Sequence, residues 1–326
     1  MIYRAVVCDT LGPPEQLVLR LLPRPALKPG EVRVAIRAAG LNFPDVLMVQ
    51  GLYQHKPPLP FVPGLEAAGE IIELGGGVMG HALGDAVIVR MRVGAYAEEA
   101  VVPAADVIPL PAGFSFVEGA TFLVAHITSW HGLVTRGQLQ PGETLLVLGA
   151  AGGVGLAAVE IGKALGARVI AVASSAEKRA AAAAKGADAV IDPAAGPLSD
   201  AVKALTDGRG AHVVLDPVGL APEEATRCLA IGGRILIVGF AGGSIPSYPA
   251  NRVLLKSASL IGVRAGEAAR HDPAMRVREM KEMMALASAG KLKPHVSATF
   301  PLASYVHAMH ALMHRQAIGR VALTMT

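Results

Sequence analysis

Charged and apolar residues alternate through Glu31-Val32-Arg33-Val34-Ala35-Ile36-Arg37, as they do in a strand with one face in a core and one toward water. Asp85-Ala86-Val87-Ile88-Val89-Arg90 is a second short β-like run, and Lys28-Pro29-Gly30, Gly75-Gly76-Gly77 and Leu83-Gly84-Asp85 supply turn signals between such runs. Residues 1–120 therefore predict a compact, mostly β domain. From 121 to 264 the pattern becomes apolar strand, glycine, helix. Thr144-Leu145-Leu146-Val147-Leu148 is a continuous apolar run followed by helical spacing from Val154 to Leu165. Further apolar runs stand at 168–173, 189–191, 212–215 and 234–238, with an alanine-rich helix across 178–185. Strands that are apolar throughout and separated by helices imply a parallel sheet covered on both faces, with right-handed crossovers. The tail, 265–326, reads as a methionine-rich helix (Met275, Met280, Met283, Met284), a short strand at Thr299-Phe300, a helix and a last strand at 320–323. Methionines at these spacings read as core filling. The expected class is α/β.

Composition adds few exclusions. The 326 residues suit two domains, and 52% hydrophobic against 17% charged residues describes a globular chain. No apolar run reaches membrane-helix length, and the N-terminus has no signal-peptide profile, so a cytoplasmic protein is expected. The net charge of +4 is scattered and aromatics are only 4%, which gives no support to a nucleic-acid surface. Cys8 and Cys228 lack metal or redox spacing and read as ordinary thiols.

Gly149-Ala150-Ala151-Gly152-Gly153-Val154-Gly155 ends a predicted strand and opens a predicted helix. A turn without Cβ atoms lets backbone approach a pyrophosphate, and the helix N-terminal amides face its charge. The strict G-x-G-x-x-G is absent; context, not spacing, carries the reading. The next strand runs into Ala173-Ser174-Ser175-Ala176, with no acid at its tip and with Lys178 and Arg179 just beyond. Hydroxyls and a cation suit a 2′-phosphate, where an NAD site carries a carboxylate for the ribose, so NADPH is expected over NADH. Glu177 is the complication, being within reach of a ribose.

With these motifs in place the chain resembles the medium-chain dehydrogenase/reductase superfamily, in its zinc-independent quinone oxidoreductase branch. The resemblance runs through Gly40-Leu41-Asn42-Phe43-Pro44-Asp45, Gly51-Leu52-Tyr53, 59–69, Gly84-Asp85-Ala86-Val87, Gly149 to Gly155, Asp216-Pro217-Val218-Gly219 and Val238-Gly239-Phe240. It implies a GroES-like catalytic domain, 1–120 completed by 265–326, and a Rossmann NADP-binding domain, 121–264, with the coenzyme in the cleft. It also implies a homodimer joined at a sheet edge, for which residues 255–263 are the candidate. Zinc-dependent relatives place a Cys and a His where this chain has Asn42 and Leu65, and two cysteines cannot furnish a four-cysteine structural site. No metal is therefore expected.

The catalytic candidates are Asn42, Asp45 and Tyr53. The Asn42 amide polarises the acceptor carbonyl or meets the nicotinamide ribose, with Asp45 holding it; the alternative for the pair is a helix cap. Tyr53 donates to a forming oxyanion or packs as a loop aromatic. The resemblance assigns coenzyme contacts to Asn42, Thr128, Gly149, Gly152, Gly153, Val154, Gly155, Ser174, Lys178, Gly239, Phe240 and Arg315. His126 reads as a packed, hydrogen-bonded residue, and Glu66 as a buried carboxylate paired with an arginine. Two departures stand out. Pro193 replaces the tyrosine that similar enzymes place after the third Rossmann strand, and Val46 or Leu47 stands where another active-site tyrosine is expected. The leading expectation is an NADPH:quinone oxidoreductase. An enone, 2-alkenal or enoyl-thioester reductase is the alternative, a zinc alcohol dehydrogenase a third reading, and a non-catalytic NADPH-binding protein the rival of another class.

Overall fold

The computed structural model describes residues 1–325. The chain forms two compact units, Met1–Val124 with Pro294–Thr326, and Ala125–Lys293.

The first unit opens with an antiparallel pair, β1 (Ile2–Val7) and β2 (Val18–Pro23). Then come β3 (Glu31–Gly40), helix α1 (Phe43–Val49), β4 (Glu66–Leu74), β5 (Ala86–Arg90), β6 (Glu99–Pro103), β7 (Val107–Pro109) and helix α2 (Phe116–Ala120). The alternation seen at 31–37 belongs to β3, which pairs with β4 on one side, with β6 along its first half and with a C-terminal strand beside its second half. Inward residues Val32, Val34, Ile36, Val87, Val89 and Val102 meet Leu41, Val46 and Tyr96 in one core.

Helix α3 (Leu123–Trp130) spans the junction, and the second unit continues with β8 (Thr144–Val147), α4 (Gly153–Ala164), β9 (Arg168–Val172), α5 (Ala176–Ala184) and β10 (Ala189–Ile191). It goes on through α6 (Leu198–Leu205), β11 (Ala211–Asp216), α7 (Pro222–Arg227), β12 (Leu229–Ile237), α8 (Ala250–Leu255), β13 (Ser259–Gly262), α9 (Ala265–His271) and α10 (Pro273–Ser288). The six strands are parallel in the order β10-β9-β8-β11-β12-β13. Numbered from β8, that is 3-2-1-4-5-6, the doubly wound order. Every residue of β8 is buried, which explains its unbroken apolar sequence. The chain then returns to the first unit with β14 (Val296–Pro301), α11 (Tyr305–Met313) and β15 (Arg320–Thr324), the last of which pairs with β3.

The unit boundaries fall after 124 and 293, where the sequence pattern places them after 120 and 264. The larger difference comes from α9 and α10, which belong with the parallel sheet. On α10, Met275 and Met283 are buried, and Glu279 accepts hydrogen bonds from Thr135 and pairs with His131 at 2.9 Å within the same unit. Helical periodicity shows that such a helix has a buried face, but not which core receives it. The 255–263 segment divides between the end of α8 and the edge strand β13, with Leu254 and Leu255 exposed.

Candidate functional site

Two groups of candidates emerge, one in each unit. In the first, Asn42 precedes α1 and Asp45 lies in its first turn. The Asp45 carboxylate accepts from the Asn42 backbone N–H at 2.8 Å, closing the helix start, with Pro44 suited to a position that needs no N–H. The cap reading is therefore realised. The Asn42 side chain turns elsewhere. Its Oδ1 accepts from Arg320 at 2.9 Å, its Nδ2 donates to Glu66 Oε1 at 3.1 Å, and the residue is only 2% exposed. Arg320 also donates to Glu66 Oε1 and to the Thr121 carbonyl, while Glu66 Oε2 accepts from the Val124 N–H at 2.9 Å. Glu66 has found its arginine on β15, 254 residues away. The network gives the Asn42 amide buried partners within the first unit. The amide's polar atoms are engaged by a buried ion pair, and turning them to an acceptor carbonyl would give up the bonds to Arg320 and Glu66.

Asp45 has a second partner the sequence did not reveal. Fully buried Tyr96 donates its hydroxyl to Asp45 Oδ2 at 2.9 Å. Gly64 makes room for it, since a Cβ there would lie 2.5 Å from the tyrosine ring. Oδ1 of Asp45 is buried without a partner. Burial pushes the Asp45 carboxyl up to about 7 against the opposing pull of the Tyr96 and Asn42 hydrogen bonds, and it pushes the Tyr96 phenol up as well. A folded-state value above the ordinary carboxylate value, ~4, means the native state keeps a proton that the unfolded chain has released. Stability therefore falls as pH rises from ~4 to about 7, and this contribution is flat above. In Asp45→Asn the amide oxygen can take over both bonds to Oδ2, so the variant should lose much less stability between pH 5 and pH 8 than the wild type. Urea midpoints at the two pH values check this; equal losses would contradict it.

In the second unit, the Gly149–Gly155 region links β8 to α4 at the carboxyl end of the sheet, where the strand order reverses between β8 and β11. Gly149 has φ +57°, a left-handed conformation that favours glycine. Gly155 packs the helix onto the turn, since a Cβ there would meet the Gly149 carbonyl oxygen at 2.4 Å and Ala150 Cα at 2.7 Å. Gly152 is the N-cap, exposed, and no side chain closes this helix end. The amides of Gly153, Val154 and Gly155 open a 12-residue helix at the carboxyl edge of the sheet, an arrangement suited to a pyrophosphate.

The tip of β9 carries Ser174, exposed, and Ser175, whose hydroxyl accepts from the Lys178 N–H at 3.3 Å as the N-cap of α5. Lys178 sits half-buried one turn in. The sequence reading missed the role of Arg179. It donates to the carbonyls of Ala173 and Ser174 at 3.1 Å and pairs with Asp192 at 2.9 Å, the residue before Pro193. Arg179 thereby braces the strand tip, and Lys178 lies four residues after Ser174. Gly239 and Phe240 follow β12 at the same edge of the sheet, Phe240 being 39% exposed. Neighbouring Asp216 is buried, and its Oδ1 accepts from Val218 and Gly219 N–H groups at 2.8 Å, which shapes the loop after β11.

Tyr53 lies in the loop after α1, half-buried against the first unit's core. Thr128 is half-buried on α3. His126 is a packed histidine, its Nε2 3.3 Å from Glu160. Arg315 follows α11 with φ +57°. Among the described residues no group of three or more His, Cys, Asp or Glu side chains gathers where it could hold a metal. No helix there is long and apolar enough to cross a membrane.

The Alcohol dehydrogenase GroES-like domain family matches residues 28–112, and the Zinc-binding dehydrogenase family matches residues 153–288. Quinone oxidoreductase-like protein 2 homolog of Nematostella vectensis is 39% identical over 98% of the chain and 88% of its own length. The human Synaptic vesicle membrane protein VAT-1 homolog is 30% identical over 99% and 86%. Among solved structures, a probable oxidoreductase from Mycobacterium abscessus superposes with a TM-score of 0.90 at 36% identity, covering 100% of this chain and 99% of that one. The Thermus thermophilus quinone oxidoreductase, solved also in complex with NADPH, gives 0.86 at 32% identity, covering 99% and 100%. An NAD-dependent alcohol dehydrogenase gives 0.88 at 32%, with the same coverage. Both units, the glycine turn between β8 and α4, and relatives matched over nearly the whole length agree: the chain belongs to the medium-chain dehydrogenase/reductase superfamily, among its quinone oxidoreductase-like members.

Proposed function

We propose that this oxidoreductase uses NADPH, without zinc, to reduce a quinone. The observation that carries the coenzyme reading is the second unit's sheet edge. It presents an uncapped helix N-terminus at Gly152–Gly155 and, after β9, exposed Ser174 with Lys178 one turn into α5, while the nearby carboxylates are engaged, Glu177 with the Ser175 hydroxyl and Asp192 with Arg179. Those amides would hold the pyrophosphate, and Ser174 with Lys178 the 2′-phosphate. Gly149, Gly239 and Phe240 would line the approach, with Thr128 and Arg315 as further coenzyme contacts. The bound nicotinamide would supply the hydride. The thermophilic quinone oxidoreductase solved with NADPH supports this choice, whereas the NAD-dependent relative makes the coenzyme the first thing to test. Lys178→Ala should raise the NADPH KM by tenfold or more, about 1.5–3 kcal/mol for a charge-assisted bond, and leave the NADH KM nearly unchanged. Equal effects on both coenzymes would remove Lys178 from the 2′-phosphate site.

For the chemistry, Tyr53 is the proposed proton donor to the reduced oxygen, and Asn42 and Asp45 are positioning residues that fix the start of α1. Tyr53→Phe should cut kcat about a hundredfold with a smaller change in KM, as for loss of a general acid; an unchanged kcat would reduce Tyr53 to packing. Zinc independence rests on the donor set. Asn42 is committed to Arg320 and Glu66, and Leu65 offers no ligand. Activity that disappears with a chelator and returns with zinc would overturn it. Val46 packs in the first unit's core, and half-buried Leu47, apolar where similar enzymes carry a tyrosine, favours a second acceptor class, enones, 2-alkenals and enoyl thioesters. A panel of quinones and conjugated carbonyls separates the two classes, and coenzyme binding without turnover of any acceptor would favour the non-catalytic reading. A homodimer is proposed through β13, an edge strand with Leu260 exposed beside exposed Leu254 and Leu255, because pairing with a second copy covers an edge otherwise open to aggregation.

A further inference from the structure

The last turn of α11 carries chemistry that hydride transfer does not use. His310 and His314 stand four residues apart, and the His314 N–H donates to the His310 carbonyl at 2.9 Å. That bond stacks the two side chains on one helix face. Their rings lie 5.3 Å apart and 30° from parallel, and both reach solvent. His310 Nε2 meets Glu15 Oε1 at 2.5 Å. A neutral imidazole that donates Nε2–H to a carboxylate keeps its Nδ1 lone pair for another partner, and the carboxylate fixes the ring. The negative end of the helix dipole lies at this turn and favours a cation, while Arg315 next to His314 opposes one.

We propose that His310 and His314 form a two-histidine chelate for a divalent transition cation of the zinc, nickel or copper type, with Glu15 as the carboxylate that orients His310. Imidazole suits these ions, and histidines at i and i+4 on a helix present two donors to one ion. Two protein donors leave the other positions to water, so the site is open and exchangeable. Because Glu15 lies in the turn Pro14–Gln16 and His310 on α11, an ion bound here clamps the two ends of the first unit's sequence and stabilises it by linkage.

Calorimetric titration of the untagged full-length protein with NiCl2 tests this. The wild type should bind one equivalent saturably. His314→Ala should weaken binding at least tenfold, and Glu15→Gln about tenfold. His307→Ala, one turn earlier on the same helix, should leave binding unchanged. Melting temperatures without nickel should match across the variants, because all these side chains lie at the surface. Absence of saturable binding, unchanged affinity in His314→Ala, or an equal loss in His307→Ala would overturn the proposal.

Discussion

Replacing Arg320 by methionine should lower the free energy of unfolding by about 3–5 kcal/mol. Arg320 is the cation of a buried network, donating to Glu66, to Asn42 and to the Thr121 carbonyl. Glu66 is fully buried. Methionine approximates the volume of the arginine stem but leaves the carboxylate with only the Val124 N–H and the Asn42 amide. An uncompensated buried charge costs more than the ion pair gains, so the loss is a large fraction of the about 5–15 kcal/mol that domains possess. The double variant Arg320→Met with Glu66→Leu should recover much of the stability, because neither charge is then orphaned. Chemical denaturation of the three proteins checks both statements. A single variant as stable as the wild type would show that the network does not stabilise the first unit.

The second large effect is expected at Gly152, where folding and coenzyme binding can be separated. Gly152 is the N-cap of α4 with φ −76° and ψ 170°, a conformation open to any residue, and a Cβ there finds its nearest atom at 3.5 Å. Aspartate is among the best N-cap residues, so Gly152→Asp should fold with equal or greater stability. Its carboxylate would stand at the helix N-terminus, where the coenzyme pyrophosphate is proposed to sit. Like charge, and a cap that takes the amide donors, should weaken NADPH and NADH together by a hundredfold or more. Fluorescence titration of both coenzymes, with a melting curve as control, reads this directly. Retained affinity in a folded variant would move the phosphate site away from α4.

The parts legible in the sequence share a physical cause. β8 is buried on both faces and reads as an unbroken apolar run, and the glycines that follow are required by a positive φ at Gly149 and a close approach at Gly155. Such demands are local, so they leave a local trace. Glu66 could be assigned an arginine because a buried carboxylate must be paired, but not Arg320, since nothing in a sequence joins positions 254 residues apart. Tyr96 carried no motif at all. Its signal is a tyrosine after Gly94-Ala95, inward-facing beside Gly64, and only the folded chain shows that its hydroxyl meets Asp45. The same limit hid the Arg179–Asp192 pair and assigned α10 to the wrong unit, since its buried face is periodic whichever core receives it.

Steady-state kinetics with NADPH and NADH in parallel, across quinones and conjugated carbonyls, decides whether this chain is an NADPH-dependent quinone reductase. Quinone reduction is expected with a kcat/KM for NADPH at least tenfold above that for NADH, undiminished by chelators. Preference for NADH, or no turnover of any acceptor with either coenzyme, would contradict it.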